Sequence, residues 1–333
     1  MRVHRLQQLL AEVSKVKPRL DAYNKRLEYR VYEYDRGVYV VDVAGVQGSF
    51  NGRENMLLSN FWALLLGVLR NSATHDVIAV DGTVYALRAH LDVNAAAAVL
   101  AYGTGTKPPE FTDFNLEVAV GTVTPSIAVE YLSDRVRVRF SATLPADARE
   151  IGVRQALLDG GGATRHTLLT RVTGWWPANS TATYNIDYTA PWVRGVGDLM
   201  YGIHLNANVA MVRIDGVSFT ARTSGDVNVG SVYVVASSEP VTWSPTLHNI
   251  PNPFTLTNYY ADLLGTRYVR MVNIVGLITP TVDTAANTLA LYQDIFDAGG
   301  ASNTVCMAVQ PLASPVTLYA GRSNIVIWRI VAL

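Results

Sequence analysis

Hydrophobic positions in this chain change period near residue 28. Val3, Leu6, Leu9, Leu10, Val13 and Val16 form one stripe of a 3.6-residue helix, Pro18 interrupts it, and Leu20, Tyr23 and Leu27 resume a helical stripe. From Tyr29 the period becomes two. Residues 29–34 and 38–43 alternate around Asp35-Arg36-Gly37, which predicts a hairpin. The segment Arg53 to Arg70 is apolar almost all round and predicts a buried helix.

Beyond about residue 76 the pattern is that of short strands separated by Gly, Pro, Asn and Asp. Val77–Val80 and Thr83–His90 flank Asp81-Gly82, which predicts a two-residue hairpin turn. Further strands are expected at residues 126–131, 135–142, 150–158, 167–172 and 181–188. The same style resumes at 209–214, 217–221 (around Asp215-Gly216), 227–236, 268–274, 288–292, 304–309 and 324–331. The tract Asn94-Ala-Ala-Ala-Ala-Val-Leu reads equally as helix or strand. A faint repeat links residues 178–186 with 320–330, each a small-residue turn leading into a strand that ends aromatic-polar-Ile. The expected fold is therefore mainly β: two β-sandwich modules of jelly-roll type, with an N-terminal helical arm and one buried helix. The expected divisions are 1–50 for the arm and hairpin, 51–200 for the first module with its helix at 53–70, and 201–333 for the second.

Composition narrows the function. The 333 residues are 49% hydrophobic and 16% charged, which excludes intrinsic disorder. The 27 Lys+Arg balance 27 Asp+Glu, which argues against a general nucleic-acid coat. Charge is unevenly placed, because residues 1–36 carry a net +4 and the remainder a net −4. That opening segment is an arm for a neighbouring subunit, with a minor nucleic-acid contact as its other use, or an ordinary helix on its own domain. The longest apolar run, Phe61 to Leu69, is too short to cross a bilayer, and no signal-peptide-like stretch opens the chain. Arg outnumbers Lys heavily, as in a GC-rich, thermophilic genome.

Catalytic motifs are missing. Gly103-Thr-Gly-Thr-Lys-Pro108 begins like a dinucleotide loop, but Pro108 stands where the third Gly belongs and no helix pattern follows. The six histidines, at 4, 75, 90, 166, 204 and 248, show no metal-ligand spacing, and the single cysteine, Cys306, reads as core. No cofactor and no metal site are expected. Two features suggest subunit contacts instead. Arg135, Arg137 and Arg139 alternate with Val136, Val138 and Phe140, placing three guanidiniums on one strand face. They read as a docking stripe for a neighbour's carboxylates, from loops holding Asp283, Asp294 or Asp297, or as a solvated face. Trp175-Trp176 is the densest aromatic point, with one ring free to face outward as an interface anchor. Leu6, Leu9, Leu10 and Val13 would supply the contact face of the arm. Asn179-Ser-Thr181 matches a glycosylation acceptor by chance.

The segment Ala101-Tyr-Gly-Thr-Gly-Thr-Lys-Pro-Pro-Glu-Phe-Thr-Asp-Phe-Asn-Leu-Glu117 resembles one found in virion structural proteins of tailed phages and archaeal viruses. Arg149-Glu-Ile-Gly-Val153 is similar to that family's "E-I-G-L" strand, with Val where Leu is favoured. Leu168-Leu-Thr-Arg171 is similar to its "L-hydrophobic-x-R" strand, and Tyr184-Asn-Ile186 to its terminal strand. The likeness spans about residues 56–190 and implies a tail, baseplate or capsid-surface module. On that basis the expectation is a non-enzymatic structural subunit, assembled in the host cytoplasm and resident in the virion. Its partners would be copies of itself and other virion proteins, not a membrane. The alternative is a spike or fibre module that binds a host receptor or carbohydrate through an exposed Trp.

Overall fold

A computed structural model describes residues 31–34, 38–43, 46–51, 53–70, 76–87, 94–224, 229–254, 259–264, 271–322 and 324–331. The helical stripe of residues 1–27 lies outside them. The chain is mainly β. Strands β1 (Val31–Tyr34) and β2 (Val38–Val43) form the expected hairpin, then β3 (Val46–Phe50) and β4 (Arg53–Leu57) form another. Helix α1 (Ser59–Arg70) follows.

The helix expected over 53–70 therefore begins six residues late. Phe50 pairs directly with Arg53, so a two-residue turn joins β3 to β4, with Asn51 at φ 44°. Asn-Gly is the strongest short hairpin signal, and it outweighs the helical pattern behind it.

The first module continues with β5 (Asp76–Ile78), β6 (Val84–Ala86), β7 (Asn94–Gly103), β8 (Ala119–Val123), β9 (Ser126–Tyr131) and β10 (Arg135–Thr143). It is completed by β11 (Ala148–Leu158), β12 (Thr164–Leu168), β13 (Thr170–Trp176) and β14 (Thr181–Thr189). The Asn94 tract is thus a strand. One hydrogen-bonded path runs β8-β7-β11-β13-β4-β3-β14-β10-β9, with β12 beside β11. Leu100, Ile151 and Val153 from its first half share one core with Val136, Val138, Phe140 and Tyr184 from its second. The alternation noted along β10 places its apolar residues there.

Helix α2 (Arg194–Leu205) opens the second module, and the boundary expected at residue 201 falls inside it. After it come β15 (Val209–Val212), β16 (Ser218–Ala221), β17 (Val229–Ser237), β18 (Tyr259–Leu264) and β19 (Met271–Ile278). Strands β20 (Thr284–Phe296), β21 (Ser302–Leu318) and β22 (Asn324–Val331) end it. Its two larger sheets are β17-β20-β21 and β1-β2-β22-β19-β18, beside the two-stranded β15-β16. The N-terminal hairpin thus completes a sheet of the second module, β2 running parallel to β22 with Val40 opposite Ile327.

Neither Asp-Gly turn has the expected two residues. Ala79 N–H bonds the Thr83 carbonyl and Arg213 N–H that of Val217, which leaves three-residue loops with Gly82 at φ 83° and Gly216 at φ 81°. A type I turn followed by glycine in the left-handed region satisfies the same dipeptide.

Helix α2 was not legible because Arg-Gly-Val-Gly-Asp-Leu-Met-Tyr-Gly is poor in helix formers. Two of its glycines are there for close approach. A Cβ on Gly195 would overlap the Cys306 carbonyl oxygen of β21, and one on Gly197 would overlap Val136 of β10. The helix is thus wedged between the modules, touching β7, β9 and β10 of the first and β15 and β21 of its own. Its buried Val196, Leu199, Met200 and Ile203 each contribute about 1.5–3 kcal/mol of apolar burial.

His204 on this helix is fully buried, edge-on to Phe140 at 5.2 Å between ring centroids. Its Nδ1 donates to Gln155 Oε1 at 3.2 Å, since the Gln155 amide nitrogen is donating to the Ala96 carbonyl. Burial pushes its pKa down to about 3. The unfolded chain, with an ordinary imidazole near pH 6.5, then binds more protons than the folded chain at any pH between the two values. Stability must therefore be lost as pH falls through that window, with a slope of at most about 1.4 kcal/mol per unit. Urea unfolding at pH 7, 5 and 4 should show the loss, and His204→Leu should flatten it relative to wild type.

Candidate functional site

Three of the four segments singled out in the sequence, 101–117, 149–153 and 168–171, lie far apart in the chain and meet at one point, while Tyr184-Asn-Ile186 lies on β14. Strand β7 runs into the Gly103-Thr-Gly-Thr loop, which returns to β8 at Val118. Across it, β11 supplies Glu150 and β13 supplies Arg171, both almost wholly buried. Glu150 Oε1 accepts the backbone N–H groups of Gly105 (3.1 Å) and Val118 (2.7 Å). Its Oε2 accepts that of Glu117 (2.9 Å) and pairs with the Arg171 guanidinium at 2.9 Å. Arg171 also reaches Asp113 Oδ2 (2.6 Å) and the Lys107 carbonyl (3.0 Å).

A second carboxylate closes the loop. Glu117 Oε2 accepts the N–H groups of Thr106 (2.7 Å) and Lys107 (2.8 Å). Those two donors hold its carboxyl below the usual carboxylate range. The two glycines follow from this packing, because a Cβ on Gly103 or Gly105 would collide with the Glu150 carboxylate. So Gly-x-Gly, Thr-Asp, Leu-Glu, Glu-Ile-Gly and Thr-Arg are five parts of one ion-pair clamp around residues 103–118. Glu150 and Arg171 are the dry members of this clamp, where a charged pair is worth more than at the surface but only while every donor and acceptor is matched, whereas Glu117 is exposed.

Sequence reasoning did not single out Glu150, Arg171, Asp113 or Glu117. The available signal was a charge inside an otherwise apolar strand, Glu150 before Ile-Gly-Val and Arg171 after Leu-Leu-Thr, since such charges survive burial only when paired.

Next to the clamp lies an open edge. Among the described residues, strand β8 ends the hydrogen-bonded path and pairs with β7 alone. Val118 just before it is 49% exposed and Val120 within it 54%. Strand β9, at the other end of the path, is guarded. There the Tyr131 hydroxyl donates to the buried Asp198 of α2, and Arg194 lies 5.1 Å over the Tyr131 ring. Burial drives the Asp198 carboxyl up from its ordinary value. Trp175 is 57% exposed, with the Arg149 guanidinium 5.3 Å above its ring, whereas Trp176 is half-buried and edge-on to Phe50 at 4.8 Å. The adjacent tryptophans thus face opposite ways.

The arginine stripe has partners in its own sheet. Arg137 holds the buried Asp187 of β14 through two bonds of 2.6 and 2.9 Å, Arg135 reaches the same carboxylate at 3.0 Å, and Arg139 pairs with Glu130 of β9 at 2.7 Å. Cross-strand register explains this, because Arg137 lies directly opposite Asp187 on one side and Glu130 on the other. The carboxylates expected to face it are occupied elsewhere. Asp294 accepts from Tyr233 and Thr304, Asp297 caps its own turn, and Asp283 accepts the Ala320 N–H.

Leu6, Leu9, Leu10 and Val13 lie outside the described residues, as do His4, His75 and His90. Cys306 is buried among Val193, Val235 and Tyr292, where burial pushes its thiol up. Among the described residues, no three His, Cys, Asp or Glu side chains are grouped to hold a metal ion, and no helix is long and apolar enough to cross a membrane.

Comparison with protein-family models, with curated proteins and with solved structures gives no match to this chain.

Three variants check this geometry by urea unfolding. Glu150→Gln leaves Arg171 buried with one carboxylate fewer and should cost about 3–5 kcal/mol, while Glu150→Leu with Arg171→Met should recover part of that loss. Arg137→Glu places a second carboxylate against Asp187 and should cost about 1.5–3 kcal/mol, whereas a stripe facing only solvent would leave stability unchanged.

Proposed function

We propose that the chain is a non-enzymatic structural subunit of a virus particle, of capsid or tail type, which assembles with copies of itself through the β8 edge. The observation that supports this reading is the convergence of three of the four resembling segments on the clamp. Residues 101–117, 149–153 and 168–171 each resemble a piece of the virion proteins, and each contributes to one network. That network grips backbone N–H groups with its carboxylates and fixes the approach to β8. A rigid, uncharged edge, Ala119-Val-Gly-Thr-Val123, is a template for strand pairing and a liability for an isolated chain. Assembly removes the liability.

A second reading, a receptor- or carbohydrate-binding module, is favoured by one observation, the exposed Trp175. Arg149 covers one face of its ring, which leaves less of the flat surface that a sugar would stack on.

Light scattering over a concentration series, with immunodetection in purified particles, tests the proposal. Wild type should form oligomers and be found in particles. Val120→Lys, which puts a charge on the edge, should remain monomeric with an unchanged melting temperature. A chain monomeric at every concentration and absent from particles overturns the proposal. Glycan-array binding that is lost in Trp175→Ala would overturn it in favour of the second reading.

A further inference from the structure

The two modules share a set of specific contacts at corresponding places. Each opens with a twelve-residue helix, α1 and α2, entered through a matching bond: Leu58 N–H to the Leu169 carbonyl, and Val193 N–H to that of Met307. Each helix leads to a three-residue Asp-Gly hairpin whose Asp accepts the same N–H, Asp81 from Thr83 and Asp215 from Val217. Each hairpin docks by the same bond, Val80 N–H to the His166 carbonyl and Ile214 N–H to that of Thr304.

Each also bridges the far turn at its Asp, Leu87 to Asp159 and Ala221 to Asp297. Those far turns match atom for atom. Asp159 Oδ1 accepts from Gly161 and Ala163, and Asp297 Oδ1 from Gly299 and Ala301, with Gly162 at φ 82° and Gly300 at φ 83°. Strand order agrees too, β7-β11-β13 with β17-β20-β21 and β9-β10-β14 with β18-β19-β22. Two unrelated β modules can share a strand order, but nothing in the general fold requires the same Asp-capped turns at the same two corners.

The contact between the modules is reciprocal. Helix α2 touches β7, β9 and β10 of the first module, and helix α1 touches β17, the counterpart of β7, in the second. Equivalent glutamines hold the two helices. Gln155 of β11 bonds His204 near the end of α2, and Gln293 of β20 donates to the Val68 carbonyl near the end of α1 at 2.8 Å. Both glutamines are buried.

We infer that the chain is a fused dimer: its halves are two copies of one module, and the surface on which each seats the other's helix is a self-association site whose partner is a second copy of that module. Each module reaches across with its helix, and each completes the other's core. This holds whatever the whole chain assembles into, and it uses none of the β8 residues.

Hydrogen exchange on the full chain tests it, with Gln155→Met and Gln293→Met removing the bonds while keeping the volume. Gln155→Met in the first module should speed exchange of the α2 amides, residues 200–205, by about fivefold. Gln293→Met in the second should do the same for the α1 amides, residues 64–69, as each loses one buried bond of ordinary strength. Should either variant fold poorly, Gly197→Ala with and without Val136→Ala reads the same surface from its other side. Gly197→Ala alone should speed exchange in β10, and adding Val136→Ala should reverse that. Exchange that rises only within the strands carrying the change, or a Gly197→Ala effect that Val136→Ala leaves untouched, overturns the inference.

Discussion

Everything else in this molecule depends on how its two helices are buried. Neither helix belongs to one core. Val196, Leu199, Met200 and Ile203 of α2 are enclosed between β10 of the preceding module and β21 of their own, and Gly195 and Gly197 exist so that both walls can come close. A helix of that composition has little tendency to form alone, so its stability comes from tertiary packing. The same contact fixes His204 and Gln155 as a buried polar pair. Misplacing the helix would leave a ring nitrogen and an amide without partners in a dry core, a cost that favours one seating over near alternatives.

Charge does a second, local job. In the first module the loop after β7 is gripped by Glu150, Arg171, Asp113 and Glu117. In the second, the described part of the loop after β17 is held mainly by neutral groups, the Ser237 hydroxyl on the Pro251 carbonyl, Thr288 on the Glu239 carbonyl and Tyr292 on Asn249, with the Glu239 carboxylate accepting from Asn252 inside the loop. Two chemistries thus tie down loops at corresponding places. A buried carboxylate–guanidinium network is costly to desolvate but strongly directional, while hydroxyl bonds are weaker and cheap to bury. The charged version stands beside the exposed β8 edge, where a fixed backbone matters if another strand is to pair with it.

Much of the fold was legible, and the failures have physical causes. A strand with alternating burial, such as Arg135–Thr143, is legible directly, because one buried face leaves a period of two. Helix α2 was missed because close packing selected glycines over helix formers. Residues 53–57 read as helix because the apolar run behind them, from Met56, does not show by itself where a strand turns into a helix, although Asn51-Gly52 marks the turn. The internal repeat is visible in its last strand, and more plainly in two other pairs of segments: Asp159-Gly-Gly-Gly-Ala with Asp297-Ala-Gly-Gly-Ala, and Val80-Asp-Gly with Ile214-Asp-Gly. The clamp could not be read as a site, since its parts are spread over some seventy positions and only the sheet register brings Gly103 beside Glu150. The arginine stripe was seen, but its partner Asp187 lies one strand away in space and fifty residues away in sequence.

Calorimetry of the intact chain is the most direct measurement of whether the exchanged helices make the modules one unit. If each module's core is completed by the other's helix, neither can melt first, and the calorimetric and van't Hoff enthalpies should be equal across a single transition. Two resolved transitions, or a calorimetric enthalpy about twice the van't Hoff value, would mean that the modules unfold independently and that the helices are not shared.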